Sequence, residues 1–149
     1  ADVRDSIELA TRFIFRLLEE GNVKLKFRDD VKMKIAYHTP CHMEKLGWAY
    51  YSIALLRSIP NINLTVLNSQ CCGIAGTYGF KKENYETSQG IGASLFRQIE
   101  EVAADFVATD CETCKWQIEM STPAKVKHPI SILAEALDLE ATRKLNSDK

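Results

Sequence analysis

The sequence has no excess of charge of either sign. Its 19 Lys and Arg stand against 20 Asp and Glu, a net charge of −1 with histidine neutral. No basic field is present to hold a phosphate backbone or an acidic membrane surface, so nucleic acid is not an expected partner. Long apolar runs are missing too. None approaches the roughly 20 residues that a membrane-crossing helix needs, and no signal-peptide pattern opens the chain. No internal repeat or low-complexity stretch appears. No serine–histidine–acid arrangement or spaced pair of carboxylates stands out, which leaves hydrolytic chemistry without candidate machinery. The glycine stretch Gly73-Ile-Ala-Gly-Thr-Tyr-Gly is not the dinucleotide pattern, nor does it end in Gly-Lys-Ser/Thr, so nucleotide binding is not expected.

Five cysteines are present: Cys41, the adjacent Cys71 and Cys72, and the spaced pair Cys111 and Cys114. An odd count with two neighbours argues against a disulfide framework, because a ring-closed disulfide between adjacent residues is strained. Metal-bound thiolates in a reducing cytosol fit better. At 149 residues the chain is about one domain long and can bury a real core. It begins Ala-Asp-Val-Arg and enters a helical pattern almost at once, which suggests a piece of a longer protein.

Residues 2–20 read as an amphipathic helix with Val3, Ile7, Ala10, Ile14, Leu17 and Leu18 on one stripe and Gly21 as its stop. Arg4, Arg12 and Arg16 lie off that stripe, on a solvated face. Residues 22–32 read as a charged, irregular connector. Residues 33–39 make a short strand ended by Pro40, followed by a helix over 44–59 that Pro60-Asn61 breaks. A second strand spans 64–67. After the glycine loop, a helix over 83–103 turns Ile91, Gly92, Leu95, Phe96, Ile99 and Val102 inward. Residues 106–109 form a third strand, and a helix carrying Cys114 in its first turn runs to Pro123. A fourth strand over 125–128 and a last helix over 131–139 complete the pattern. Alternating strands and helices predict an α/β fold: a small parallel sheet of three to four strands flanked by helices. In such sheets ligands sit outside the carboxyl ends of the strands. Each cysteine group comes just after a predicted strand, so the fold brings all five to one edge.

Three chemistries fit these sulfurs. A single zinc takes four ligands, which two pairs of cysteines satisfy. A multi-iron cluster is wider, is held by thiolates, and accommodates an adjacent pair gripping from several directions. A thioredoxin-like Cys111–Cys114 pair would exchange disulfides but leaves three cysteines without a role. The start of a helix at Cys111-x-x-Cys114 favours thiolate, and backbone N–H groups of Gly73, Gly76 and Gly79 are candidate donors to cluster sulfurs. His42 is a candidate neighbour of the site. His38 reads as structural if it belongs to the strand, and His128 reads as structural. Lys45, Lys81, Lys82 and Lys115 lie near cysteines in sequence, with ordinary surface lysine as the default. Tyr78 and Trp116 are candidates to shield the site, with packing into the core as the alternative.

Taken together, Cys41, Cys71-Cys72-Gly73 and Cys111-x-x-Cys114 resemble the cysteine-rich CCG domain. That domain is shared by the B subunit of heterodisulfide reductase, the iron–sulfur subunit of glycolate oxidase and related electron-transfer proteins. The match covers roughly residues 33–138. More narrowly, residues 37–45, 68–85 and 109–121 resemble the carboxy-terminal part of the C-subunit family of anaerobic glycerol-3-phosphate dehydrogenases. The resemblance implies a cysteine-rich domain over 33–149, preceded by a helix and connector over 1–32 from the region before it. It implies a noncubane 4Fe–4S cluster held by Cys41, Cys71, Cys72, Cys111 and Cys114, with zinc as the alternative metal. It implies no catalytic residue on this chain. The implied task is to relay electrons from flavin-bearing dehydrogenase subunits toward membrane quinone, peripherally at the cytoplasmic face of the inner membrane.

Overall fold

A computed structural model describes Val3 and residues 7–147. Four short apolar stretches become strands: β1 (Met33–Tyr37), β2 (Ile62–Val66), β3 (Phe106–Ala108) and β4 (Val126–Lys127). They pair in the order β2-β1-β3-β4, and every pairing is parallel. Ile35 lies opposite Leu64 on one side and Phe106 on the other, and Tyr37 lies opposite Val66 and Ala108. Parallel strands need crossovers, and the helices supply them. α2 (Cys41–Leu46) and α3 (Ala49–Arg57) join β1 to β2, α4 (Tyr85–Val102) joins β2 to β3, and α5 (Glu112–Ser121) joins β3 to β4. The α/β class with a parallel sheet is as expected, at four strands.

Strand alternation divides the core. Ala36 and Val107 point to one face, where Leu95, Phe96 and Ile99 of α4 and Ile118 of α5 pack on them. Ile35, Tyr37 and Ala108 point to the other, against Leu55 and Leu56 of α3 and against Ile132 and Leu133 of α6 (Pro129–Ala136). Burying both faces goes with the unbroken buried run Ile35-Ala36-Tyr37 at the carboxyl end of the central strand β1. The chain leaves β1 for β2 on one side and then returns to β3 on the other. The crevice beyond the carboxyl ends of β1 and β3 is therefore the topological switch point, where open sheets of this kind bind ligands.

Several boundaries differ from the sequence reading. The first helix, α1, spans Ala10–Glu19. Residues 1, 2 and 4–6 lie outside the described residues. Val3, Ile7 and Ala10 are exposed rather than on the buried stripe, while Ile14, Phe15 and Leu18 pack onto the α3–α6 face. Arg12 and Arg16 pair with Glu8, and Arg16 also with Glu20, as expected of a solvated face. The segment 22–32 is irregular but anchored. Lys24 and Lys26 donate their backbone N–H groups to Asn146 and Thr142, and Phe27 forms an antiparallel bridge with Leu137. The expected helix over 44–59 is two helices, because Gly47 takes a left-handed conformation (φ 67°) and ends α2. The expected last helix over 131–139 ends early, α6 stopping at Ala136, and a further helix not expected from the sequence, α7 (Leu139–Ser147), follows the bridge. Ile91 faces solvent, and Ser88 takes its place on the inward stripe of α4.

The two faces of the sheet predict opposite outcomes for two isoleucines. Ile35→Ala removes a fully buried side chain and should lower stability by about 2–5 kcal/mol in urea unfolding. Ile91→Ala, on the exposed side of α4, should stay within about 0.5 kcal/mol of the parent.

Candidate metal centre

The carboxyl ends of three strands deliver the cysteines. β1 continues into His38, whose backbone N–H donates to Ala108 O at 2.9 Å, and two residues later Pro40 caps α2. Cys41 is the first residue of that helix and is exposed. Cys71 and Cys72 follow β2 in a loop, the first half-buried and the second buried. Cys111 caps the N-terminus of α5, and Cys114 lies buried in its first turn. The Cys72 and Cys114 sulfurs are 3.2 Å apart. A ring nitrogen of His38 joins them, so that the three ligand atoms all lie within 4.8 Å of one another. Cys111 Sγ lies 3.2 Å from Thr113 Oγ1, and Cys71 is near enough to Cys41 to shift its ionisation. All five thiols are free.

Proximity makes the sulfurs share protons unequally. The contact of Cys114 with Cys111 and its hydrogen bond with Cys72 push its own pKa far up, with burial adding to the effect. Cys72 is pulled down to about 5, first by that hydrogen bond and then, against the cost of burial, by His38 and the Ile74 backbone N–H. Cys111 is likewise pulled down to about 5 by Cys114, with Thr113 helping against burial. Cys41 goes the other way, to about 11, through burial first and then its hydrogen bond to Cys71. The two thiols biased toward thiolate, Cys72 and Cys111, thus flank Cys114 in the first turn of α5.

Two buried polar networks fix this arrangement. Asp110, next to Cys111, accepts hydrogen bonds from Tyr37 Oη and Ser52 Oγ, both at 2.7 Å, and its Oδ1 lies 3.8 Å from His128 Nε2. Burial and the Asp110 carboxyl both push the Tyr37 pKa up, so the phenol stays a donor. The network ties β1, α3 and the end of β3 together. On the other face, Gln117 Nε2 donates to Ser88 Oγ at 2.9 Å, and Ser88 Oγ donates to Gly73 O at 2.8 Å. Gly73 has φ 88°, and a Cβ there would run into the Ser88 carbonyl. A Cβ at Gly92 would lie 2.6 Å from Cys72 O. The Cys72–Gly73 turn therefore rests backbone to backbone on α4. Gly73 also donates its N–H to Cys71 Sγ at 3.3 Å.

Other candidates fall outside the cluster. His42 is exposed on α2, whereas His38 is 1% exposed and touches the site. The strand pleat accounts for this: His38 shares its parity with Ala36, which faces α4 and α5. His128 caps α6 by accepting from Ile130 N, a structural role as expected. Lys45, Lys81 and Lys82 are exposed, and Lys115 pairs with Glu112 and Glu119. Tyr78 and Trp116 are exposed rather than core, with Trp116 packed on Phe80 at a centroid distance of 6.0 Å. Gly76 has open space around it, and Gly79 packs on Ser88. Asp110, Ser88 and Gln117 do not stand out in the sequence. The available signal is a polar residue on an otherwise apolar stripe: Ser52 on α3, Ser88 on α4 and Gln117 on α5.

A parallel sheet with sulfurs converging at its switch point defines a cysteine-rich α/β module. Residues 35–119 match the family model described as "Cysteine-rich domain", CCG, and the chain belongs to that family. It is 66% identical over 136 residues to the C subunit of the anaerobic glycerol-3-phosphate dehydrogenase of Escherichia coli K12, covering 91% of this chain and 34% of that protein. It is 32% identical over 122 residues to an iron–sulfur protein of Methanocaldococcus jannaschii, covering 80% of this chain and 22% of that protein. A shorter match, 31% over 68 residues, is to the D-2-hydroxyglutarate dehydrogenase of Escherichia coli K12, with 45% and 7% covered. The chain thus spans about a third or less of these relatives.

The proton sharing has a direct readout. Thiolate, not thiol, reacts with iodoacetamide. In the metal-free chain at about pH 6, Cys111 lies above its lowered pKa and Cys41 far below its raised one, so Cys111 should be alkylated first although Cys41 is the more exposed. Mass spectrometry of early time points checks the order. The reaction at Cys111 should fade as pH drops through about 5. Removing the partner of a buried network carries a separate expectation. Asp110→Ala strands the Tyr37 and Ser52 hydroxyls and should cost about 2–3 kcal/mol in chemical unfolding.

Proposed function

We propose that this chain is the iron–sulfur electron-carrying domain of a quinone-linked dehydrogenase of the glycerol-3-phosphate type. The observation that carries the reading is the chain of interacting sulfurs: Cys71 to Cys41, and Cys72 to Cys114 to Cys111, with two thiolates already favoured in the metal-free protein. The donor set fits a sulfur-ligated cluster. Beyond the sulfurs, the buried side-chain atoms left without a hydrogen-bond partner among the described residues are His38 Nε2, Thr109 Oγ1 and Gln117 Oε1. Two of them directly follow β1 and β3, and the third lies one turn beyond Cys114. His38 lies at the Cys72–Cys114 pair.

In this reading Cys41, Cys71, Cys72, Cys111 and Cys114 are the ligands of a 4Fe–4S cluster of noncubane type. When bound, such a cluster supplies one-electron redox chemistry. The chain's own residues hold and insulate. The α5 N-terminus and the Gly73 N–H offset thiolate charge, and the Asp110 and Ser88 networks keep the three strand ends in register. Residues 33–149 form the cysteine-rich unit, to which residues 1–32 lead. Flavin-bearing subunits supply the electrons, and membrane quinone receives them at the cytoplasmic face of the inner membrane. Among the described residues no helix is long and apolar enough to cross a membrane, so contact with the bilayer is assigned to peripheral docking. The chain itself carries out no substrate oxidation.

The compact His38–Cys72–Cys114 set favours a second reading, a structural zinc that docks partner subunits. Metal analysis separates the two. Anaerobic reconstitution with iron and sulfide should give a broad visible absorbance and about four irons per chain. Single Cys→Ser changes at the five positions should each lower the iron content. Zinc at about one per chain, with no iron retained and no absorbance gained, would overturn the electron-carrying reading.

A further inference from the structure

We propose that His38 is a fixed N–H donor to the sulfur core, and that it holds the reduction potential of the centre up. The inference rests on the electron-carrying reading above. His38 is sealed from solvent at 1% exposure, and its backbone is locked into the ladder through Ala108 O. Its ring cannot swing out to water without breaking that ladder or opening the face packed by α4 and α5. Burying an imidazole without partners is costly, and Nε2 has none among the described residues. Within 4.8 Å of a His38 ring nitrogen lie the sulfurs of Cys72 and Cys114.

A metal-ligating histidine has its second ring nitrogen held by a carboxylate, a carbonyl or water. No carboxylate or carbonyl among the described residues accepts from the His38 ring. Five thiolates already outnumber the four ligands of an ordinary cluster, so a sixth ligand is not required. Around the buried pair the Ile74 backbone N–H reaches Cys72, and His38 is the side chain that brings a further N–H. Cys41, Cys71 and Cys111 are open to water to varying degrees, whereas Cys72 and Cys114 are buried. His38 stands where solvent cannot reach. A hydrogen bond to sulfur stabilises the more negative, reduced state, which raises the potential.

Redox titration of the anaerobically reconstituted chain tests this, with the wild type, His38→Gln and His38→Leu compared. Leu removes the donor, whereas Gln keeps an amide N–H. His38→Leu should shift the oxidised-to-reduced ratio at fixed ambient potential about tenfold toward oxidised, about 59 mV for a one-electron couple. His38→Gln should recover most of that shift. Equal potentials in all three proteins would overturn the proposal. A measurement on the wild type alone needs no variant to fold. Pulsed electron paramagnetic resonance with 15N-labelled histidine should detect one weakly coupled nitrogen. A strong coupling, meaning direct ligation, or no coupling at all would overturn it. Iron content of the wild type is read in the same samples. Its absence would overturn the electron-carrying reading and the His38 role with it, whereas iron present with unchanged potentials would overturn the His38 role alone.

Discussion

The parallel pairing of β1 with both β2 and β3 is the constraint on which the rest depends. Because the three strands run the same way, the loops that follow them must leave from one edge. Nothing in the cysteines themselves draws residues 72 and 114 together across so much sequence. The sheet does it through backbone hydrogen bonds and through apolar side chains buried on two faces. The sulfurs then meet as a consequence of register: Tyr37 opposite Ala108 sets His38 and Asp110 on opposite sides of the switch point.

What the sheet brings together, charge and hydrogen bonding keep apart by a fixed amount. Converging thiols repel once ionised, and a bare cluster of thiolates would spread. Cys114, its pKa pushed up by Cys111, Cys72 and burial, counters this by staying a neutral thiol beside them. The Asp110 network on one face and the Ser88–Gln117 pair on the other take up the remaining slack. Both networks are buried and join separate elements, so each is worth more as a constraint on position than as a contribution to stability.

Much of this is legible in the sequence, and for identifiable reasons. Strand runs ending at Pro40, before Cys71 and before Cys111 carry a strong local signal, and a parallel sheet then follows from their alternation with helices. Helix boundaries are less legible where one residue decides them. Gly47 divides what periodicity reads as one helix, and the Phe27–Leu137 bridge, a contact distant in sequence, follows the early end of another. The preference for His42 over His38 comes from adjacency to Cys41, whereas the pleat governs which side chain faces the sulfurs. Ser52, Ser88 and Gln117 sit in plain view on apolar stripes. Their partners, however, lie on other elements, and only the assembled fold pairs them.

The resting of the Cys72–Gly73 turn on α4 has one more consequence. Where two backbones touch with no side chain between them, there is no rotamer to adjust and little free volume to collapse. The turn must therefore move with the helix as a single body. A centre anchored this way would meet a change in its own charge with almost no displacement of its surroundings. On the electron-carrying reading proposed above, that rigidity would keep the reorganisation energy low and let an electron arrive and depart quickly.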